Sequence, residues 1–90
     1  MHFEWDEAKR HSNKEKHGLD FLDVFEVFDG PHVVVPSRHD SDEERQLAVG
    51  LLDGRFVTVV YTFRESAIRV ISFRRARYEE RRKHHELFGL

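Results

Sequence analysis

The dipeptide Asp53-Gly54 restricts the fold of this chain more than any other feature. It separates two largely apolar stretches, 45–52 and 55–63, each of the length of a strand. Asp-Gly is typical of a two-residue hairpin, because both central residues of that turn need a positive φ. The turn places residues 47, 49 and 51 on one face with 56, 58 and 60, and residues 48 and 50 on the other with 57, 59 and 61. Both faces are largely apolar, which predicts a sheet covered on one side and partly covered on the other.

The segment before this hairpin predicts an edge strand and two helices. Residues 3–5 form a short strand, and Asp6 is typical of the N-cap of a helix over residues 7–17 that ends at Gly18. A second helix follows Asp20 and stops before Gly30. Spacings of three, four and seven residues predict a stripe on this helix that faces the core: Phe21, Val24, Phe25 and Phe28.

The remaining segments complete the predicted order. Residues 32–35 read as a short strand, 38–44 as a polar loop, 67–73 as a third long strand and 75–88 as a terminal helix. The predicted fold class is α+β, a small antiparallel β-meander sheet with two N-terminal helices and one C-terminal helix. Ninety residues is the length of one domain, over residues 1–90.

The charge is unevenly distributed along the chain. Residues 1–63 carry 7 Lys or Arg against 13 Asp or Glu, whereas residues 64–83 carry 8 Lys or Arg against 3 Glu. A basic block on an acidic chain indicates a polyanion site or a docking surface for an acidic partner. The alternative is the solvated face of a helix.

Composition excludes several classes of protein. The chain has no cysteine, which rules out disulfides and thiolate chemistry. No apolar run approaches the roughly 18 residues of a membrane span, and the first residues lack the pattern of a signal peptide, so we expect a cytoplasmic location and no membrane partner. The seven histidines show no spacing typical of metal ligands, so we expect neither a metal nor another cofactor.

Four segments resemble the BrnT family of toxins, in the same order and at similar spacings. They span about residues 3–81, nearly the whole chain. They are Phe3-Glu4-Trp5-Asp6 with Lys9, Asn13, Lys16-His17-Gly18 and Phe21; Glu44-Arg45 with Gly50; Val59-Val60-Tyr61-Thr62 with Arg64; and Arg69-Val70-Ile71-Ser72-Phe73-Arg74-Arg75-Ala76 with Glu80-Arg81.

The resemblance implies a RelE-like fold and the toxin role in a type II toxin–antitoxin system. It implies a metal-independent endoribonuclease that cleaves RNA, inhibits translation and growth, and is neutralised by a BrnA-type antitoxin. It further implies a higher-order complex with that antitoxin, which contacts operator DNA only through the antitoxin. The alternative is a catalytically inactive module that only partners a DNA-binding antitoxin in operon regulation.

Metal-free RNA cleavage needs a base for the 2′-hydroxyl, an acid for the leaving oxygen and fixed donors for the phosphorane. His17, Arg64 and Arg74 are the predicted catalytic residues. His17 suits proton transfer near neutral pH, or it only caps a helix. Arg64 and Arg74, at the ends of successive strands, are predicted to converge at one rim and hold phosphate, or they form salt bridges with nearby glutamates.

Four further residues are predicted to bind the substrate. Lys16 is a phosphate contact or a charge that favours the helix dipole. Arg45 and Arg75 belong to the same predicted basic cluster. Tyr61 stacks on a base or, alternatively, packs in the core.

Overall fold

The fold is a five-stranded sheet with helices on both faces, in a computed structural model that describes residues 2–37 and 44–90. The predicted polar loop falls almost entirely outside these residues. The strands are β1 (His2–Glu4), β2 (Val33–Pro36), β3 (Gln46–Leu52), β4 (Arg55–Arg64) and β5 (Ala67–Arg75). The helices are α1 (Glu7–His17), α2 (Val24–Asp29) and α3 (Tyr78–Phe88), with a 3-10 turn at Phe21–Asp23 before α2.

The sheet has the order β1-β5-β4-β3-β2. Strands β2 to β5 form the predicted antiparallel meander, and the hairpin register pairs Leu52 with Arg55 as expected. Asp53 and Gly54 both have positive φ, 51° and 76°, as the turn requires. The prediction of a purely antiparallel sheet is wrong, because the edge strand β1 pairs with β5 in parallel. The α+β class is confirmed, with a mixed sheet.

One face of the sheet, the core face, carries the main hydrophobic core. Ala48, Leu52, Val57, Val59 and Tyr61 pack there against the segment that holds the 3-10 turn and α2. The sheet and α2 approach closely at Gly50, where an added Cβ would lie 3.0 Å from Val27 Cγ1 and 3.3 Å from the Pro31 carbonyl oxygen. A side chain at this position would push α2 away from the sheet.

The second helical segment has the predicted extent, but its first turn is 3-10 and its buried stripe has a different phase. Phe21, Val24 and Val27 are fully buried, whereas Phe25 is 52% exposed. The 3-10 turn advances three residues per turn and so places Val24 in line with Phe21, which turns the inward stripe of α2 toward Val27 and the partly buried Phe28. The predicted inward position of Phe25 is therefore wrong, and Val27 takes that role.

Helix α1 has the predicted bounds and lies along the edge of β5 beyond the short β1. Asp6 caps it by accepting a hydrogen bond from the Lys9 N–H, and Gly18 ends it with φ 71°. The Asn13 side chain donates to the Phe73 carbonyl at 2.8 Å and accepts from the Phe73 N–H at 3.1 Å. Asn13 thus satisfies the backbone groups of Phe73 as a neighbouring strand would, which explains why this polar side chain is buried.

The opposite face, called the groove face, is covered by α3 at one end. His84 of α3 is fully buried there, with its ring 5.3 Å from that of Phe56. The helix begins at Tyr78 and not at residue 75 as predicted, because β5 continues to Arg75 and the Ala76 N–H still bonds to the Phe56 carbonyl. Within the described residues, none of the helices is long and apolar enough to cross a membrane.

Candidate functional site

Arg74 and Glu80 form the most highly connected polar pair on the groove face. The two terminal nitrogens of Arg74 donate to the two carboxylate oxygens of Glu80, both at 2.9 Å. The same carboxylate accepts from the Thr58 hydroxyl at 2.8 Å and from the Arg77 N–H at 2.9 Å. One buried carboxylate therefore joins β4, β5 and the first turn of α3, and it fixes the direction of the Arg74 guanidinium.

These hydrogen bonds keep Glu80 ionised. Burial alone raises the pKa of Glu80, but the bonds from Arg74, the Arg77 N–H and Thr58 outweigh it and lower the pKa from 4.5 to about 2. A carboxylate with this pKa does not exchange protons near neutral pH. Glu80 is thus a fixed anion that holds Arg74, and it is not a candidate for general acid or base.

His17 lies close to Arg74 at the end of α1. It is one helical turn beyond Asn13, whose contact with Phe73 holds α1 beside this part of β5. Burial, followed by the charges of Lys16 and Arg74, lowers the pKa of His17 below 6.5. The imidazole is accordingly neutral at pH 7 and able to accept a proton. Lys16 is exposed beside it.

A groove of about 860 Å³ lies between α3 and the uncovered part of the groove face. We call it the basic groove. Its apolar floor consists of Val35, Leu47, Val60 and Ile71, and Glu79 and Glu80 contribute carboxylates. Among the described residues, five cationic side chains line it: Arg45, Arg74, Arg77, Arg82 and Lys83. The predicted contacts Arg45 and Arg74 are thus brought to one groove, where the cations of residues 2–37 and 44–90 outnumber their carboxylates.

Arg64 does not join this group, so the predicted convergence of Arg64 and Arg74 at one rim is wrong. Arg64 pairs with Ala67 at the β4–β5 turn, whereas Arg74 pairs with Thr58 at the other end of β4. Six residues of strand separate the two levels, roughly 20 Å at about 3.3 Å per residue. Strand alternation assigns Arg64 to the groove face, because it shares the parity of Thr58 and Val60.

Tyr61 and Arg75 lie apart from the basic groove. Tyr61 is 3% exposed in the core, with its ring 5.2 Å from that of Phe28, and burial raises the pKa of its hydroxyl. The core alternative therefore holds for Tyr61, and base stacking there is excluded. Arg75 is exposed and shares its sheet face with Phe73, since both occupy odd positions after the bulge in β5.

Sequence reasoning missed the structural roles of Asn13, Thr58 and Glu80. Glu80 is the third residue of α3, a position where glutamate commonly binds the N-cap N–H. The N-cap is Arg77, not the usual serine or threonine, so the sequence signal was weak. In residues 2–37 and 44–90, histidines and carboxylates form no group of three that could hold a metal ion.

A guanidinium fixed by a carboxylate within a basic groove is an arrangement that can bind phosphate oxygens. His17 and Lys16 are not among the described residues that line this groove. The model of one family matches residues 5–80, under the description "Ribonuclease toxin, BrnT, of type II toxin-antitoxin system". The chain belongs to this family, whose members are ribonuclease toxins paired with an antitoxin protein. Searches of curated proteins and of solved structures found no match.

Proposed function

We propose that this protein is a metal-independent endoribonuclease whose chemistry takes place beside Arg74. The supporting observation is the Arg74 guanidinium, which Glu80 holds in the basic groove and whose charge contributes to the lowered pKa of His17. A planar guanidinium suits the equatorial oxygens of a phosphorane, because it offers several N–H donors in one plane. The basic groove suits the neighbouring phosphates.

In the proposed reaction His17 takes the proton of a ribose 2′-hydroxyl, and the 2′-oxygen forms a bond to the adjacent phosphorus. Arg74 donates to the phosphoryl oxygens as negative charge accumulates on them. The bond from phosphorus to the 5′-oxygen then breaks, and the protonated His17 or a water molecule returns a proton to the leaving oxygen. The products are a 2′,3′-cyclic phosphate and a 5′-hydroxyl end.

Arg45 and Lys16 serve in this proposal as phosphate contacts on either side of the scissile bond. Arg64, about 20 Å from Arg74 along the same face at about 3.3 Å per residue, contacts a distant phosphate instead of the reacting one. We propose no role for Tyr61 in binding RNA, since its ring is buried.

We further propose that a BrnA-type antitoxin neutralises the enzyme in the cytoplasm, and that the complex represses its own operon through the DNA-binding region of the antitoxin. A RelE-like fold is part of the same proposal. The sheet with α3 over one end and an open basic face supports it.

A catalytically inactive antitoxin-binding module is the second candidate. The ion pair of Arg74 with Glu80 favours this second function, because the Glu80 carboxylate neutralises the positive charge of Arg74 and so weakens its attraction for a phosphate. The two functions are separated by incubating the antitoxin-free protein with labelled RNA in EDTA. Cleavage that gives cyclic-phosphate ends supports the nuclease, whereas antitoxin binding without cleavage supports the module.

A further inference from the structure

A second, shallower groove of about 280 Å³ lies on the outer side of α3. Its lining residues are Phe56, Tyr78, Arg81, Arg82, His85 and Leu90, and we call it the Tyr78 groove. Tyr78 is 72% exposed, in contrast to the buried Tyr61. Its ring is therefore free to contact a ligand on the surface of the protein.

The Tyr78 groove is basic and adjoins the basic groove. The Arg81 guanidinium lies 5.2 Å from the centre of the Phe56 ring, which holds this cation at the groove floor. Arg82 lines both grooves, so they meet across the N-terminal half of α3. In the part of the chain that the structure describes, none of the six residues that line the Tyr78 groove is acidic, and Arg82 also forms exposed ion pairs with Glu79 and Glu86 of α3.

We propose that the Tyr78 groove binds an unpaired nucleobase of the same RNA strand whose phosphates lie in the basic groove. The Tyr78 ring supplies a stacking surface, and Arg81 and Arg82 contact the phosphates that flank this base. A base in a duplex has both faces covered by its neighbours, so the groove selects single-stranded RNA. This inference rests on the proposed function, because it assumes that the substrate is RNA.

The charges favour a nucleic acid over a protein as the occupant. Interface centres between proteins are depleted in charged residues, whereas stacking sites for single strands combine an aromatic ring with cations. Here one exposed aromatic ring lies beside Arg81 and Arg82. Leu90 is the one aliphatic residue among the described residues that line the groove.

The test measures the affinity of the folded, antitoxin-free protein for a fluorescent single-stranded 2′-O-methyl oligoribonucleotide, which lacks the nucleophile and is not cleaved. Tyr78→Ala should raise the Kd about 10-fold or more, since the loss of one stacking ring typically has an effect of this size. Tyr78→Phe keeps the ring and should stay within about twofold of the unmodified protein. The matched control is Phe63→Ala, which removes a ring that is 67% exposed at the far end of β4.

The inference is overturned if Tyr78→Ala binds the oligonucleotide as tightly as the unmodified protein, or if this change weakens only the antitoxin complex. Cleavage of unmodified RNA is measured separately at saturating concentration. Loss of affinity in Tyr78→Ala, with no cleavage by the unmodified protein, would support the stacking site and contradict the proposed nuclease. Cleavage by the unmodified protein, with no effect of Tyr78→Ala on affinity, would support the proposed nuclease and contradict the stacking site.

Discussion

Asn13 pairs its side-chain amide with both backbone groups of Phe73, and this contact determines where His17 lies. β1 pairs with residues 67–69 of β5, and the Asn13 amide satisfies the β5 edge at Phe73. A residue on a polar helix thereby connects the helix that carries His17 to the strand that carries Arg74.

Asn13→Ala should lower the free energy of unfolding by about 2–3 kcal/mol, because a buried N–H and a buried carbonyl of Phe73 lose their partner. Urea denaturation followed by circular dichroism measures the change. The matched control is Ser12→Ala, which removes an exposed hydroxyl that donates to the Lys9 carbonyl of its own helix. A loss below about 0.5 kcal/mol in Asn13→Ala, similar to ordinary surface changes, would contradict the role of Asn13.

Glu80→Gln should lower the free energy of unfolding by about 3 kcal/mol, since it removes the anion from a buried ion pair with Arg74. Glu79→Gln, one residue away, removes an exposed partner of Arg82 and should have an effect below about 1 kcal/mol. Equal effects of the two changes would show that the Arg74–Glu80 pair does not stabilise the fold.

The Arg74–Glu80 pair should make the stability of the protein depend on pH. Glu80 has a pKa of about 2 in the folded protein and about 4.5 when unfolded, so its stabilisation is complete above about pH 4.5 and is lost as the pH falls toward 2. The difference corresponds to about 3 kcal/mol at neutral pH. The gap in unfolding free energy between the unmodified protein and Glu80→Gln should narrow over this range. A gap that stays constant from pH 5 to pH 3 would contradict the lowered pKa.

His17 should titrate below pH 6.5, mainly because it is partly buried and secondly because Lys16 and Arg74 are nearby. Lys16→Gln should raise the pKa of His17, as followed by the imidazole resonances in NMR spectra, whereas Lys9→Gln on the same helix should not. Folding favours the neutral ring, so this stabilisation is present above about pH 6.5 and is lost as the pH falls through the lowered pKa. A measured His17 pKa at or above 6.5 would show that burial does not lower it, and would contradict the proposed role of a neutral His17 as the base.

Substitutions at Arg64 and Arg74 should differ in their effect on RNA cleavage. Arg64→Ala removes a distant phosphate contact, so KM should rise several-fold while kcat stays nearly constant. Arg74→Lys keeps a positive charge but loses the paired donors, so kcat should fall by about 10²-fold or more. Steady-state kinetics on one oligoribonucleotide compares them. A fall in kcat with Arg64→Ala equal to that with Arg74→Lys would contradict the separation of their roles.

Local patterns predicted much of the fold, and long-range packing accounts for the rest. Asp53-Gly54 specified the hairpin and its register, and Asp6 with Gly18 specified α1, because these signals act through nearby backbone. The parallel pairing of β1 depends on residues more than sixty positions away. The exposure of Phe25 depends on the 3-10 turn, for which no sequence signal was recognised.

The candidate site was only partly predictable for a similar reason. The sequence indicated the basic block, His17 and Arg74, but their grouping depends on how β5 lies beside α1 and α3. Strand ends suggested that Arg64 and Arg74 meet, yet consecutive antiparallel strands place the end of one beside the start of the next. Arg64 ends β4 and Arg74 lies near the end of β5, so the two occupy opposite ends of the hairpin.

We propose that the chain cleaves RNA without metal through His17 and Arg74. The most direct measurement is single-turnover cleavage of labelled RNA in EDTA by the folded, antitoxin-free protein, with His17→Gln and Arg74→Lys confirmed as folded by circular dichroism. We predict cleavage by the unmodified protein and a rate reduced by about 10²-fold or more in each variant. Absence of cleavage by the folded protein, or unchanged rates in both variants, would contradict this mechanism.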